Sequence, residues 1–320
     1  MVQKIKFMDV GHGDSSIIFL KDAKHGTIQT IVIDIENADK IITELEKENI
    51  RTLDLLIISH FDADHCRGVN DFLEKFLLKG SVKNVCYHLD RAVGSNTMKL
   101  LVRRFIELYR SHKSAILGGH FDTNVQKRDL IEDSCSKLSL IYPNESDNAE
   151  EYCRVGSNNK SIVCILESKS CTTLFPGDLE AEGWERLLSR MPALQCDILK
   201  MPHHGAFYVD EKNAGTVRIL KSLKPKAAII STGENKKYRH PALETIRVLK
   251  DLKIKVYCTE YTSLCHCDIG DSERKCYGDI EVIVYESAYQ INTEKNKKML
   301  LHKPACKINR EFPIDSDTTS

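Results

Sequence analysis

A dense group of histidine and aspartate side chains lies in the segment SHFDADH, residues 59–65. His60, Asp62, Asp64 and His65 follow directly on the apolar run LDLLII, which predicts a buried strand. Side chains at the end of a rigid strand can converge on one point, and imidazole nitrogens with carboxylate oxygens suit Zn²⁺ or Mn²⁺. The segment therefore predicts a metal site. The alternative is a solvated polar turn that carries these residues by chance.

Further polar segments follow other apolar runs along the chain. In chain order they are Gly11-His12-Gly13-Asp14, Asn159-Lys160-Ser161, Pro176-Gly177-Asp178, His203-His204-Gly205 and Tyr238-Arg239-His240-Pro241. Together with the first cluster, this series resembles the hydrolase domain of the ComEC competence family and its stand-alone relatives, within the metallo-β-lactamase superfamily. The cluster matches the HxHxDH signature of that superfamily, with Asp62 where the second histidine usually stands. The resemblance covers roughly residues 3–287 and implies an α/β fold, the αββα sandwich of two mixed β-sheets flanked by helices.

The resemblance implies two divalent ions, Zn²⁺ or Mn²⁺. His60 and Asp62 would bind the first ion, and Asp178 would bridge it to the second. The family usually supplies a third histidine for the first ion from a strand between the signature and the bridging aspartate. Residues 158–161 carry asparagine and serine at that place. The first site is therefore incomplete, which would lower its occupancy, let a water complete it or favour Mn²⁺ over Zn²⁺.

The second ion would take Asp64, His65 and His204. His204 is preferred to His203 because the final ligand of similar dinuclear esterases occupies the second position of the His-His-Gly turn. His203 would then contact the substrate or support a ligand.

Catalytic roles also follow from the resemblance. Asp62 or Asp64 would orient the attacking water, and His240 would bind phosphate or act as a general acid toward the leaving oxygen. Alternatively, His240 only caps the helix that begins after it. The residues expected to support the site or contact substrate are His203, Asp14, Asn159, Ser161 and Tyr238. For Asp14 the alternative is an Asx-type turn with no contact to the site.

Hydrophobic periodicity predicts the elements that position these segments. Strands at 3–8, 15–20 and 29–35 suggest an antiparallel meander, and strands then alternate with helices, as in an α/β protein. We predict one hydrolase domain over residues 1–290, with a mainly helical insertion at about 95–135, and a polar, flexible tail over 291–320. The insertion carries a basic helix at 99–113, which either lines a nucleic-acid groove or is simply solvated.

Composition narrows the class of protein. The 320 residues include 46 basic and 46 acidic side chains, which argues against a protein that coats nucleic acid through bulk charge. No run approaches the roughly 20 apolar residues that span a bilayer, and the start lacks a signal peptide, so we expect no membrane segment and no transport role. Twelve cysteines without a secretion signal predict free, buried thiols in the cytoplasm. Cys265, Cys267 and Cys276 are either a structural zinc site or free thiols.

The predicted function is a metal-dependent hydrolase, most specifically a phosphodiesterase or nuclease that acts through a metal-activated water. Nucleic acid or a small phosphodiester would be the substrate. One alternative is a hydrolase of a small phosphoester or other ester, because the same centre serves these reactions and zero net charge favours a small substrate. Another is a degenerate scaffold that binds a partner protein. Partner proteins and oligomeric state stay open.

Overall fold

The computed structural model describes residues 3–21, 26–88, 96–152, 158–209, 215–233, 240–260 and 278–294. Within those ranges the strands are β1 Gln3–Phe7, β2 Ser15–Lys21, β3 Ile28–Ile35, β4 Thr52–Ile58, β5 Ser81–Tyr87, β6 Ala115–Gly118, β7 Arg128–Glu132, β8 Ser136–Tyr142, β9 Val163–Ser168, β10 Thr172–Phe175, β11 Ile198–Lys200, β12 Ala227–Ile230, β13 Lys255–Cys258, β14 Ile280–Val284 and β15 Tyr289–Thr293. The α-helices are α1 Ala38–Lys47, α2 Ala63–Cys66, α3 Val69–Phe76, α4 Asn96–Arg110, α5 Glu145–Tyr152, α6 Ala181–Arg190, α7 Thr216–Leu223 and α8 Leu243–Asp251.

The strands form two mixed sheets. The first has the order β15-β14-β1-β2-β3-β4-β5-β6, and the second has the order β13-β12-β11-β10-β9-β8-β7. The predicted meander is present, since β1, β2 and β3 pair antiparallel, and the chain then adds β4, β5 and β6 in parallel. In the second sheet, β10 to β13 are likewise parallel. With helices packed outside the sheets, this is the predicted αββα sandwich, and the fold class is confirmed.

Both faces of the central strands are buried, which explains their largely apolar runs. In β4, Leu55 and Ile57 point into the core between the sheets, whereas Leu56 and Ile58 point to the outer helices. Helix α3 packs against this outer face with an apolar stripe at helical spacing, Val69, Phe72, Leu73 and Phe76. On the other side, α6 seals the second sheet with the fully buried Trp184.

Parallel strands end at the same edge of a sheet, and this geometry gathers the polar segments. In the first sheet β3 and β4 are parallel neighbours, with Asp34 near the end of β3 and His60 just past β4. In the second sheet β10 and β11 lead into Asp178 and His204. The candidate site is therefore built from both sheets.

The predicted insertion at 95–135 needs correction. Only α4 is α-helical in the described part of that stretch, and it packs on the first sheet's outer layer. The residues after it add β6 parallel to β5 and β7 antiparallel to β8, so the stretch supplies an edge strand to each sheet. The predicted tail also begins too early, because Thr293 of β15 still pairs with Ile280. Residues 295–320 lie outside the described ranges.

The described cysteines are free thiols, and all of them except Cys135 are buried, as predicted. Cys265, Cys267 and Cys276 lie outside the described residues, so their predicted zinc site is not addressed. Within the described ranges, the helices are too short or too polar to cross a membrane.

The two sheets meet through a stacked aromatic pair, Phe7 of β1 and Phe175 of β10, with ring centroids 5.8 Å apart. Phe7→Ala should lower the free energy of unfolding by about 3–5 kcal/mol, because it opens a cavity between sheets that cannot collapse freely. Urea denaturation measures this, and Phe7→Leu should lose much less. Equal losses from both variants would contradict a role for ring packing.

Candidate metal centre

Asp178 lies between the imidazoles that the sequence assigned to the metal site. Its Oδ1 is 3.1 Å from Nε2 of His65, and its Oδ2 is 3.7 Å from Nε2 of His60 and 3.9 Å from Nε2 of His204. Nε2 of His204 is also 3.2 Å from Oδ2 of Asp64. The predicted ligands of β4, β10 and β11 are thus gathered in one place, from segments more than a hundred residues apart in the chain.

Three atoms of this cluster are buried with unused hydrogen-bonding capacity. His60 Nε2, His65 Nε2 and Asp178 Oδ1 make no hydrogen bond within the described residues. Leaving a buried polar atom unsatisfied costs roughly 1–3 kcal/mol, and three in contact are hard to reconcile with a purely structural role. Nitrogen and carboxylate donors that face one another in this way fit a divalent transition-metal ion.

Asp62 stands at the rim of the cluster. Its side chain is 40% exposed, and Oδ2 lies 3.9 Å from Nε2 of His60. It is also the N-cap residue of the short helix α2, which carries Asp64 and His65 inward.

Asp34 orients His65 from behind. Its Oδ2 is 2.8 Å from Nδ1 of His65 and accepts a hydrogen bond from Oγ of Ser59 at 2.6 Å, while Oδ1 accepts from the Ser59 backbone N–H at 2.7 Å. A carboxylate on Nδ1 leaves Nε2 directed at the centre, the usual support for a metal-binding histidine. The sequence analysis missed Asp34. The available signal is a lone aspartate inside the apolar run QTIVIDI, beside the strand that ends in the cluster.

The His-His-Gly turn uses an uncommon backbone conformation. His203 and His204 both have positive φ, +48° and +52°, in the left-handed region that non-glycine residues seldom adopt. The turn buries His204, whose Nδ1 lies 2.9 Å from the carbonyl oxygen of Ser231 at the end of β12. That contact leaves Nε2 of His204 directed at the cluster, as with His65.

His203 and His240 form the more open side of the cluster. His203 Nε2 lies 3.9 Å from Oδ2 of Asp178, and its ring centroid is 5.4 Å from that of His240. Burial, together with the positive charge of nearby His203 and His204, lowers the pKa of His240 to about 4. His240 is therefore neutral at pH 7, a state that suits hydrogen bonding to phosphate better than proton donation as an acid.

Asp14 and Lys200 form a buried ion pair beneath the site. Lys200 of β11 donates to Oδ2 of Asp14, and both residues are at most 5% exposed. The same carboxylate oxygen is 3.8 Å from Nδ1 of His65. Burial would raise the pKa of Asp14, but Lys200 together with His65 and His204 lowers it below its usual value. Lys200 was not singled out by sequence, because a lysine in the strand CDILK carries no motif of its own.

Ser161 and Asn159 occupy the place of the absent third histidine. Ser161 Oγ accepts a hydrogen bond from the backbone N–H of Asp178 at 3.2 Å, which helps fix the Pro-Gly-Asp turn. Asn159 Oδ1 instead accepts from the Gly183 N–H at 3.1 Å, in the first turn of α6. The side-chain oxygen of Asn159 is thus bound to the start of α6. Tyr238 lies outside the described residues.

His12 is a member of the cluster that the sequence analysis did not assign. Its Nε2 lies 3.5 Å from Oδ2 of Asp64, and its ring centroid is 4.9 Å from that of His204. Burial first, and then His204, lower the pKa of His12, which favours the neutral imidazole. The only signal in the sequence is its place in the Gly11–Asp14 turn.

Charges within the cluster are mutually dependent. Burial would raise the pKa of Asp178, but His65 and His204 hold it well below its usual range, so it is ionised. Burial lowers the pKa of His60 and would do the same to His65, whereas Asp178 and Asp34 raise the pKa of His65 well above its usual value. The proton that His65 then carries supplies positive charge where a cation would otherwise supply it, so protons and metal compete for this position.

Comparison with known proteins supports the resemblance inferred from the motifs. No protein-family model matches the chain. ComE operon protein 3 of Bacillus subtilis is 26% identical over 220 residues, or 69% of this chain, and Competence protein ComA of Neisseria gonorrhoeae is 22% identical over 231 residues, or 72%. The chain spans only about a quarter of the length of each, 25% and 27%. These relatives confirm the likeness to competence-type proteins that the motifs indicated.

Solved structures with a partly similar course of the chain include human tRNase Z, short form. It is 14% identical with a TM-score of 0.45, covering 80% of this chain and 95% of that one. A diphosphatase of the PhnP family is 14% identical with a TM-score of 0.38, covering 71% and 85%. A beta-lactamase domain protein from Burkholderia ambifaria is 12% identical with a TM-score of 0.30, covering 54% and 53%. Scores this low support no statement about activity.

Asp34→Asn should weaken binding of Zn²⁺ or Mn²⁺ by roughly 10–100-fold, because His65 loses the carboxylate that fixes its orientation. Calorimetric titration of the metal-free protein measures the change. Asp54→Asn is the matched control. Asp54 is a buried carboxylate on β4 that accepts a hydrogen bond from the backbone N–H of Thr30 on β3 at 2.8 Å. Equal losses from the two variants would contradict a specific role for Asp34.

Lys200→Met should lower the free energy of unfolding by about 3–5 kcal/mol, because it leaves the Asp14 carboxylate buried without its cation. Urea denaturation at pH 7 measures the loss. The double variant Asp14→Asn with Lys200→Met should recover much of it, since no uncompensated charge is left. A double variant no more stable than Lys200→Met alone would show that the ion pair is not the cause.

Proposed function

We propose that the protein is a metal-dependent hydrolase with a dinuclear centre, and that it cleaves phosphodiester bonds in nucleic acid. The observation that carries this proposal is the position of Asp178. Its two carboxylate oxygens face different imidazoles, with His65 on Oδ1 and His60 and His204 on Oδ2. A carboxylate in that position is able to bridge two cations.

The resemblance divides the donor set into two groups around Asp178, and in the structure His65 also lies close to His60, their ligand atoms and that of Asp178 being within 4.8 Å of one another. His60 and Asp62 would hold one ion, while Asp64, His65 and His204 would hold the other. Divalent ions in such a centre stabilise negative charge on a phosphoryl group and make water a better nucleophile near neutral pH. The protein's own contribution is to keep the ligands oriented and partly shielded from solvent. Asp62, at the exposed rim, is suited to orient the attacking water.

The side of the cluster next to His203 and His240 is the proposed place of the scissile phosphate. His203 is 24% exposed on its side chain and faces Asp178, so it can reach both solvent and centre. A neutral His240 can donate one hydrogen bond to a phosphate oxygen. These two imidazoles would hold the substrate in position, which is a large part of catalysis in phosphoryl transfer.

Nucleic acid is favoured as substrate class by the likeness to competence-type proteins, whose hydrolase domains are associated with DNA degradation. Helix α4 offers a further argument, because Lys99, Arg103 and Arg110 are exposed along it. Such a face can bind phosphates without sequence preference. A small phosphoester is the second candidate, and the observation in its favour is the zero formal net charge, which gives a polyanion no bulk attraction.

The test is a hydrolysis panel with single-stranded DNA, duplex DNA, RNA and the small diester bis(p-nitrophenyl) phosphate, each with Mn²⁺ or Zn²⁺. Asp178→Ala should reduce the rate by about a thousandfold or more, because loss of the bridge removes several kcal/mol of charge stabilisation. Asp122→Ala, a change on an exposed loop, is the matched control and should keep full activity.

Each result has a distinct meaning. Cleavage of a nucleic acid that depends on Asp178 supports the proposal as stated. Cleavage of the small diester alone supports the second candidate instead. Activity that survives Asp178→Ala, or a protein that binds no divalent metal, contradicts the dinuclear centre and favours a binding scaffold.

A further inference from the structure

His12 lies against the predicted ligands of the second ion. Its Nε2 is 3.5 Å from Oδ2 of Asp64, the same oxygen that is 3.2 Å from Nε2 of His204. All three donor atoms lie within 4.8 Å of one another. Two imidazoles thus meet one carboxylate oxygen in an arrangement that the motifs did not predict.

The turn that carries His12 makes close backbone contacts on two sides. On one side the Asp14 N–H donates to the Asp64 carbonyl at 2.9 Å, and a Cβ on Gly13, which has φ of +155°, would come within 2.6 Å of that carbonyl oxygen. On the other side, a Cβ on Gly233 would come within 2.6 Å of the backbone nitrogen of His12. Glycine at both places lets these backbone segments approach each other this closely. The location of His12 is therefore built into the fold.

The spacing of these donors matches a shared ion. Zinc binds imidazole nitrogen at about 2.0–2.1 Å with tetrahedral geometry, so two of its ligands lie about 3.3–3.4 Å apart. The separations from Asp64 to His204 and to His12, 3.2 and 3.5 Å, are close to that value. The contact between His204 and Asp64 is also within hydrogen-bonding distance, whereas the contact between His12 and Asp64 is longer than an ordinary hydrogen bond.

The two halves of the centre would then differ in chemistry. The first group has one imidazole, His60, with Asp62 and the shared Asp178, and it lacks the usual third histidine. The second group gains an imidazole. Nitrogen ligands favour borderline ions such as Zn²⁺, and carboxylate oxygens suit harder ions such as Mn²⁺.

We infer that His12 is a nitrogen ligand of the second ion, beside Asp64 and His204, and that this position binds Zn²⁺ more tightly than the position of His60 and Asp62. The inference rests on the dinuclear centre of the proposed function and adds a ligand to it. It predicts two unequal classes of Zn²⁺ site, with His12 in the tighter one.

Calorimetric titration of the metal-free full chain with Zn²⁺ tests this directly. The wild type should bind two ions with different affinities. His12→Gln should weaken the tighter class by at least roughly tenfold, since even a residue that only supports a metal ligand contributes 10–100-fold, and it should leave the weaker class unchanged. His112→Gln is the matched control, because His112 is exposed at the end of α4 and should change neither class.

A second variant guards against a trivial loss of folding. His12→Glu replaces the nitrogen by an oxygen that can still bind a metal, so it should keep two classes of site and raise the tighter class's preference for Mn²⁺ over Zn²⁺. Visible absorption of the Co²⁺-loaded protein should shift in His12→Gln and not in His112→Gln. Both readouts are independent of catalysis.

The outcomes separate the inference from the proposed function. Two Zn²⁺ sites whose affinities and Co²⁺ spectrum do not respond to His12→Gln would overturn the inference and leave the dinuclear centre intact. A loss confined to the weaker class would overturn it as well, as would lower activity with unchanged metal binding, which would make His12 a substrate contact. A wild type that binds no metal would overturn both.

Discussion

Burial of opposite charges at one edge of an apolar sandwich is the constraint that governs this molecule. Asp178 is only 3% exposed, yet it is ionised, and the imidazoles around it make that state tolerable. Buried charges are stable only when they are paired, so every element that approaches the edge must bring a partner. The strands β3, β4, β10 and β11 each carry such a residue near their end or in the turn that follows. The site and the sheet ends therefore specify one another.

A network of polar groups extends from the candidate metal centre and joins the two sheets. Lys200 belongs to the second sheet and Asp14 to the turn before β2 of the first, and their ion pair lies beside His65. Asp34 then links His65 to Ser59. Because these contacts run through one connected series of polar groups, a change at any member should be felt by its neighbours. The rigidity of the ligand positions comes from this layer as well as from the apolar core.

The sequence was sufficient for the parts of the structure that depend on local pattern. The largely apolar run before His60 identified β4, and the resemblance carried by the order of the polar turns indicated the sandwich and the set of candidate ligands. It was not sufficient where pairing is decided over distance. Ala115–Gly118 is a strand because β5 offers a free parallel edge, a fact that no local periodicity reports. The sequence did not predict that His12, Asp34 and Lys200 lie at the site. The reason is the same, because each acts through contacts with residues that are remote in the chain.

The position of β14 has a consequence for folding during synthesis on the ribosome. β1 lies between β2 and β14, so its second edge stays uncovered until a strand much later in the chain has been made. Until residue 284 has left the ribosome, β1 exposes a row of unpaired backbone groups next to an apolar face, and such edges invite pairing with other chains. Between the synthesis of β2 and that of β14 the nascent chain thus has an open sheet edge, and chaperone protection would matter most in that interval.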